Sequence, residues 1–166
     1  MTHPTLPSFR QTHMEQPEDM PLKFQEAWKA RNAIQLANLF SEDAQFVNVV
    51  GLWWHRREDI WKAHDYGLRV IFQDSQVKLG RILRTDLTPE VVLIHARMHL
   101  VGQTPQGDVQ KPNARQNLFS FVMQRYERGW VCRSAHNTDV VPGKETNIID
   151  GKGHIQSVDY RKQDPS

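Results

Sequence analysis

With 166 residues and 21 basic against 19 acidic side chains, net +2, the chain is sized for one domain and too evenly charged for the basic stripe of a nucleic-acid binder. Its single cysteine, Cys132, excludes an internal disulfide and a cysteine-clustered metal site, which fits a reducing, cytoplasmic setting. Prolines at 4, 7 and 17 stand where a secretory signal needs an apolar core, and no run approaches the roughly 18 apolar residues of a membrane span, so a soluble, untargeted protein is expected.

Residues 1–18 are polar, proline-punctuated and without periodicity, and are expected as a mobile arm outside the fold. The domain proper is expected over 19–142. From about Pro21 to Arg31 the side chains of Phe24, Trp28 and Arg31 share one helical face, with Pro21 tolerated in the first turn. Asn32 and Gln35 have the spacing of a capping box, and Leu36, Leu39 and Phe40 stripe a short second helix that runs out over Ser41 to Asp43. Gln45 to Val50 alternates as a strand, and Gly51 breaks it before Trp53 and Trp54. A third helix follows, with Ile60, His64, Leu68 and Ile71 on its apolar side and Arg57, Glu58, Lys62, Asp65 and Arg69 on its wet side.

The second half reads as four long strands, roughly Gln76 to Thr85, Glu90 to Val101, Arg115 to Glu127 and Trp130 to Val140. Short turn-bearing links at Thr88-Pro89, Thr104 to Gly107 and Arg128-Gly129 favour antiparallel hairpins over parallel crossovers. Helices first and sheet afterwards predict an α+β domain with helices on one face of a curved, mostly antiparallel sheet. Residues 143–166 are polar with scattered isoleucines and are expected as an extended or partly ordered tail.

Val91 to Val101 sorts its side chains by parity: Val92, Ile94, Ala96, Met98 and Leu100 point one way, His95, Arg97 and His99 the other. Two arrangements are open. Either the nitrogen-bearing set lines an enclosed wall while the apolar set meets another molecule, or the apolar set is the core of a monomer and the His-Arg-His face is wet.

Leu36-x-x-Leu39-Phe40-x-Glu42-Asp43-Ala44, then Phe46-Val-Asn-Val-Val-Gly51-x-Trp53-Trp54, then the helix with Ile60 and His64, resembles the SnoaL-like branch of the nuclear transport factor 2-like superfamily. His95-Ala-Arg97, Gly129-Trp130 and Asn137-Thr138-Asp139 resemble the SgcJ/EcaC group within it, and the likeness covers about Leu22 to Pro142. It implies a cystatin-like cone: about three helices closing over a bent sheet, a pocket at the open end, and homodimers. Members include isomerases, hydrolases, dehydratases, cyclases and non-catalytic assembly modules, so the fold alone assigns no reaction.

In the related association domain of calcium/calmodulin-dependent kinase II, arginines on the long strands face the cavity, and the matching positions here are Arg97 and Asn137. The resemblance therefore implies an inward set of Leu93, His95, Arg97 and His99, then Asn117, Phe119, Phe121 and Met123, then Val131, Arg133, Ala135 and Asn137, with Asn48, Trp53, Trp54 and His64 approaching from the other side. The apolar set from Val92 to Leu100, with Leu118 and Val122, then becomes the subunit contact through the sheet face.

Two functions follow as expectations. The first is a small-molecule pocket that transfers a proton, cyclises or hydrates an apolar oxygenated metabolite without a cofactor, with His95, Arg97 and His99 as the acid-base and anion-stabilising groups. Asn48, Asn117 and Asn137 would orient the substrate. The second is a non-catalytic ligand-binding or assembly domain with an arginine-lined anion pocket, in which Arg97 holds a carboxylate; an enclosed Arg97 needs as partner either Asp139 or Glu58 or an anionic ligand. A metal site from His95, His99 and His136 is set aside, because positions four apart on a strand lie about 13 Å from each other. Cys132 has outward parity and reads as packing.

Overall fold

The structure, a computed structural model, describes residues 5–161, which form three helices and eight strands. Helix α1 spans Asp19–Lys29, α2 Ala33–Ala37 and α3 Arg57–Val70; the strands are β1 Phe40–Val47, β2 Trp53–Trp54, β3 Gln76–Thr88, β4 Val91–Val101, β5 Arg115–Tyr126, β6 Gly129–Asp139, β7 Thr146–Ile149 and β8 Ile155–Val158. One six-stranded sheet has the order β2-β1-β6-β5-β4-β3, and β7 and β8 form a separate hairpin. Every pairing in the large sheet is antiparallel except that of β1 with β6. The expected α+β class and the four long antiparallel strands are what the structure shows.

Local chemistry sets the helix ends. The Asn32 side chain accepts from the Gln35 N–H, half of the capping box, and α2 starts there. That helix is shorter than expected: Phe40 to Asp43 belong to β1, because Phe40 pairs with Cys132 of β6 and is fully buried. Sheet pairing here overrides a helical stripe only one turn long.

Helices α1 and α3 cover one face of the sheet and bury Met20, Phe24, Ala27, Trp28, Ile60 and Leu68 against it. The sheet answers with Val92, Ile94, Ala96, Met98 and Leu100 of β4 and Phe119, Phe121 and Met123 of β5, all in one hydrophobic core. Register makes this a single surface, since Ala96 faces Phe119, which faces Asn137, and Met98 faces Asn117, which faces Asp139.

The expected inward set on β4 is thereby reversed. His95 and His99 are half-buried and Arg97 is exposed on the opposite side of the sheet, where Arg97 donates to the Gln116 side chain at 3.3 Å. Energetics decide it: Val92, Ile94, Met98 and Leu100 each gain about 1.5–3 kcal/mol on burial, whereas an enclosed guanidinium with no partner costs several. The apolar residues of β4 assigned to a subunit contact are the interior of one chain, with Met98 only 1% exposed, whereas Leu118 and Val122, placed in the same set, lie half-buried on the other face opposite Arg97 and Leu93.

One terminal expectation also changes and the other narrows. The arm, as far as it is described, lies on the fold: Met14 exchanges backbone hydrogen bonds with Trp130 at 2.9 and 2.8 Å, and its side chain is buried. Residues 1–4 lie outside the described residues. The tail is not merely extended, since Thr146–Ile149 and Ile155–Val158 pair as a hairpin whose turn is held by Asp150, which accepts from the Lys152 and His154 N–H groups. Its residues 162–166 lie outside the described residues.

Among the described residues no helix is long and apolar enough to cross a membrane.

Candidate functional site

A cavity of about 120 Å³ lies between the helices and the sheet. Its apolar wall is aromatic: Phe24 and Trp28 from α1, Phe46 from β1, Trp54 from β2, Phe72 after α3 and Phe119 from β5, with Met98 and Leu100 on the floor. Its polar residues are His64 on α3, Asn48 in the β1–β2 turn, Arg115 and Asn117 on β5, and Asn137 on β6. A mostly apolar hollow with a few convergent polar groups is suited to a small organic molecule.

His64 is half-buried and stands inside a ring of aromatic side chains, its centroid 5.9 Å from Phe24, 6.3 Å from Trp28, 5.5 Å from Phe46 and 5.6 Å from Trp54. Burial pushes its pKa down from 6.5 to about 4, against the opposing pull of the Ile60 carbonyl. Nδ1 lies 2.8 Å from that carbonyl oxygen, one turn back on the same helix. A ring nitrogen so placed carries the proton, which leaves Nε2 unprotonated.

At the polar end, Asn117 is buried and its Nδ2 donates to Oδ1 of Asp139, the residue opposite it on β6. The same carboxylate oxygen stands 3.6 Å from Nε of Arg115. That Nε is buried without a hydrogen-bond partner, as is the Oδ1 of Asn137.

Of the residues expected from sequence, Asn48, Trp54, His64, Asn117, Phe119 and Asn137 meet in this cavity. The others do not. His95, Arg97 and His99 lie on the far face of the sheet, so no acid-base or anion-stabilising role in the cavity is open to them. Trp53 is 57% exposed and donates its indole N–H to Gln45 outside the hollow. Phe121 is fully buried behind Phe119, stacked on it at 5.3 Å.

Arg133 is diverted by a bulge: Met123 pairs with Cys132 and Val122 with Ser134, so Arg133 is the extra residue. It leaves the sheet to donate to the Tyr126 hydroxyl and the Asp43 carboxylate, each at 2.8 Å. The Asp43 carboxyl is held below its ordinary range by the Ser41 side chain and by the Arg133 charge. The same bulge turns Cys132 inward rather than outward, where burial pushes its thiol well up and keeps it unreactive.

Asn48 has a second duty. Its Oδ1 accepts from the Val50 and Leu52 N–H groups at 3.0 and 2.9 Å and so clamps the turn in which Gly51 takes φ +85°. Its oxygen is therefore committed to the turn rather than to a ligand.

The aromatic walls Phe24, Trp28, Phe46 and Phe72 are absent from the residues expected of the site, and so is the charged wall residue Arg115, although for Arg115 a signal exists. It has the same parity on β5 as Asn117 and Phe119 and pairs with Leu100 of β4. The expected partner Asp139 is present, but it serves Arg115 and not Arg97.

No family model matches the sequence. Among solved structures the chain is similar to an uncharacterised protein with a cystatin-like fold from Caulobacter vibrioides, at 25% identity over 75% of this chain and 87% of that one, with a TM-score of 0.69. It is similar to LinA at 14% identity, over 75% and 83% of the two chains, TM-score 0.65. A scytalone dehydratase candidate from Novosphingobium aromaticivorans gives 12% identity over 75% and 81%, TM-score 0.63. The fold is thus the cystatin-like, nuclear transport factor 2-like cone, built around a hollow of small-molecule size.

Proposed function

We propose that the protein binds a compact, largely apolar, oxygen-bearing molecule in the cone and removes a proton from it, with His64 as the acceptor. One observation carries this reading: His64 lines an aromatic cavity, and its Nδ1 is tied to the Ile60 carbonyl, which leaves Nε2 unprotonated. The C–H proton would pass to Nε2 and the electron pair to a carbonyl oxygen or a departing hydroxyl, with Asn117, Asn137 and Arg115 at the polar end.

A base that stays neutral down to about pH 4 is weak, so it suits protons already acidified by an adjacent carbonyl. Enolisation, isomerisation and loss of water are the reaction classes that fit. The dehydratase named among the structural neighbours supports this choice by fold alone. The SnoaL-like branch, suggested by the Phe46 to Trp54 segment, is part of the same proposal.

The low basicity of His64 also favours a second reading, in which Nε2 only accepts a hydrogen bond and the protein binds without chemistry. One experiment separates them. Proton-deuterium exchange at the methyl of acetophenone is followed by NMR in heavy water, and binding by fluorescence of Trp28 and Trp54. Proton transfer requires exchange above the buffer rate that His64→Gln abolishes while acetophenone still binds. Binding with no catalysed exchange selects the second reading.

A further inference from the structure

A guanidinium on the wall of an apolar hollow is by itself a trap for anions. Arg115 lines the cavity, yet its charge is not free to act that way, because Oδ1 of Asp139 stands 3.6 Å from its Nε. The carboxylate is fixed there by Asn117, itself 5% exposed, whose amide donates to the same oxygen. Both charged side chains are about one-third exposed, and Asp139 lines a neighbouring groove rather than the hollow itself. Beyond Asp139 the polar groove toward the terminal hairpin carries Lys144 and Glu145, and the Glu145 carboxylate is paired with Arg161.

We infer that Asp139 determines ligand charge: by neutralising Arg115 at the polar end, it reserves the cavity for uncharged molecules and turns carboxylates away. Asp139 acts through Arg115 and Asn117, so it is a positioning residue. The inference rests on the cavity being the ligand site and does not depend on His64 moving a proton. It also reverses the expectation of an arginine-lined anion pocket, since the arginine that lines the hollow is already compensated.

Acetophenone and benzoate, near in size and differing in charge, test it by titration of tryptophan fluorescence. The protein should bind acetophenone, and benzoate about tenfold or more weakly. Asp139→Asn keeps the side-chain shape but removes the charge, so it should raise benzoate affinity about tenfold and leave acetophenone within about threefold. Asp139→Glu should keep the original order.

A gain of benzoate binding is not something a merely damaged fold would give. If Asp139→Asn does not fold, Arg115→Gln gives the reciprocal test, since the uncompensated Asp139 should then admit benzylamine, which the unaltered protein refuses. Benzoate bound as well as acetophenone by the unaltered protein overturns the inference, as does Asp139→Asn with no gain. Failure of every form to bind any probe overturns it together with the cavity as a ligand site. Acetophenone binding without His64-dependent exchange removes the proton-transfer reading and leaves this one standing.

Discussion

The indole N–H of Trp28 donates to the hydroxyl of Ser75 across 3.0 Å, and that hydroxyl donates in turn to the Phe72 carbonyl at 2.7 Å. Ser75 is completely buried at the entry to β3, and Trp28 and Phe72 are both cavity wall, with ring centroids 5.0 Å apart. A short polar chain thus ties the indole of one aromatic wall to the backbone of another. Ser75→Ala leaves the indole donor unsatisfied in an apolar site, a loss of about 1–3 kcal/mol. Urea unfolding is expected to show that drop, and acetophenone titration a weaker fit. Unchanged stability would mean that the indole finds another acceptor.

The depressed pKa of His64 fixes the sign of a pH effect. Between 6.5 and about 4 the unfolded chain binds a proton at this position and the folded chain does not. Its contribution to stability is therefore complete above pH 6.5 and declines as pH falls toward 4. Replacing the ring by one that cannot titrate removes the dependence. The thermal midpoint of His64→Gln, subtracted from that of the unaltered protein at each pH, should vary through this window and stay flat above it. A flat difference throughout would place the folded pKa near its ordinary value.

Substitutions on the far face of the sheet should leave the cavity untouched. His95→Ala, Arg97→Ala and His99→Ala together remove half-buried or exposed side chains that do not reach the hollow. Each surface change of this kind costs within about 0.5 kcal/mol. Acetophenone affinity is expected to be unchanged in the triple variant. A loss comparable to that of a cavity variant would return these three residues to the site.

How far the sequence could be read follows from the physics of each element. Period-two alternation on β4 was plain, but alternation has no sign: it names two faces and not which one is inside. A resemblance at Arg97 points that residue inward, whereas the five apolar residues opposite it carry the larger energy. The same resemblance, matched at Asn137 on β6, puts Asn117, Phe119 and Asn137 on the cavity side, where the pairing of β5 with β6 keeps them together.

Non-local features left no trace in the residue pattern. The parallel pairing of β1 with β6 joins segments far apart in the chain, and the bulge that ejects Arg133 depends on register against β5. His64 was legible as a residue on an apolar helical face. Its aromatic surroundings come from α1, β1 and β2 and appear only when those elements assemble.

The N-terminal arm supplies the last test. Gly129, at the turn between β5 and β6, takes φ +132°, and a Cβ built on it would come 2.5 Å from the Met14 carbonyl oxygen. The arm can therefore pair with Trp130 only because residue 129 has no side chain. Gly107 also has a positive φ, but a Cβ there meets nothing, so Gly107→Ala measures backbone strain alone. Gly129→Ala should cost more than this, because φ +132° lies further outside what an L residue adopts than φ +53° and because the Met14–Trp130 hydrogen bonds are lost. Met14→Ala, which empties a fully buried site without touching the backbone, should lower stability by about 2–5 kcal/mol. Both changes should also speed proteolytic cleavage between residues 5 and 18. If neither variant is less stable than Gly107→Ala, the arm contributes nothing to the fold and the pairing with Trp130 is incidental.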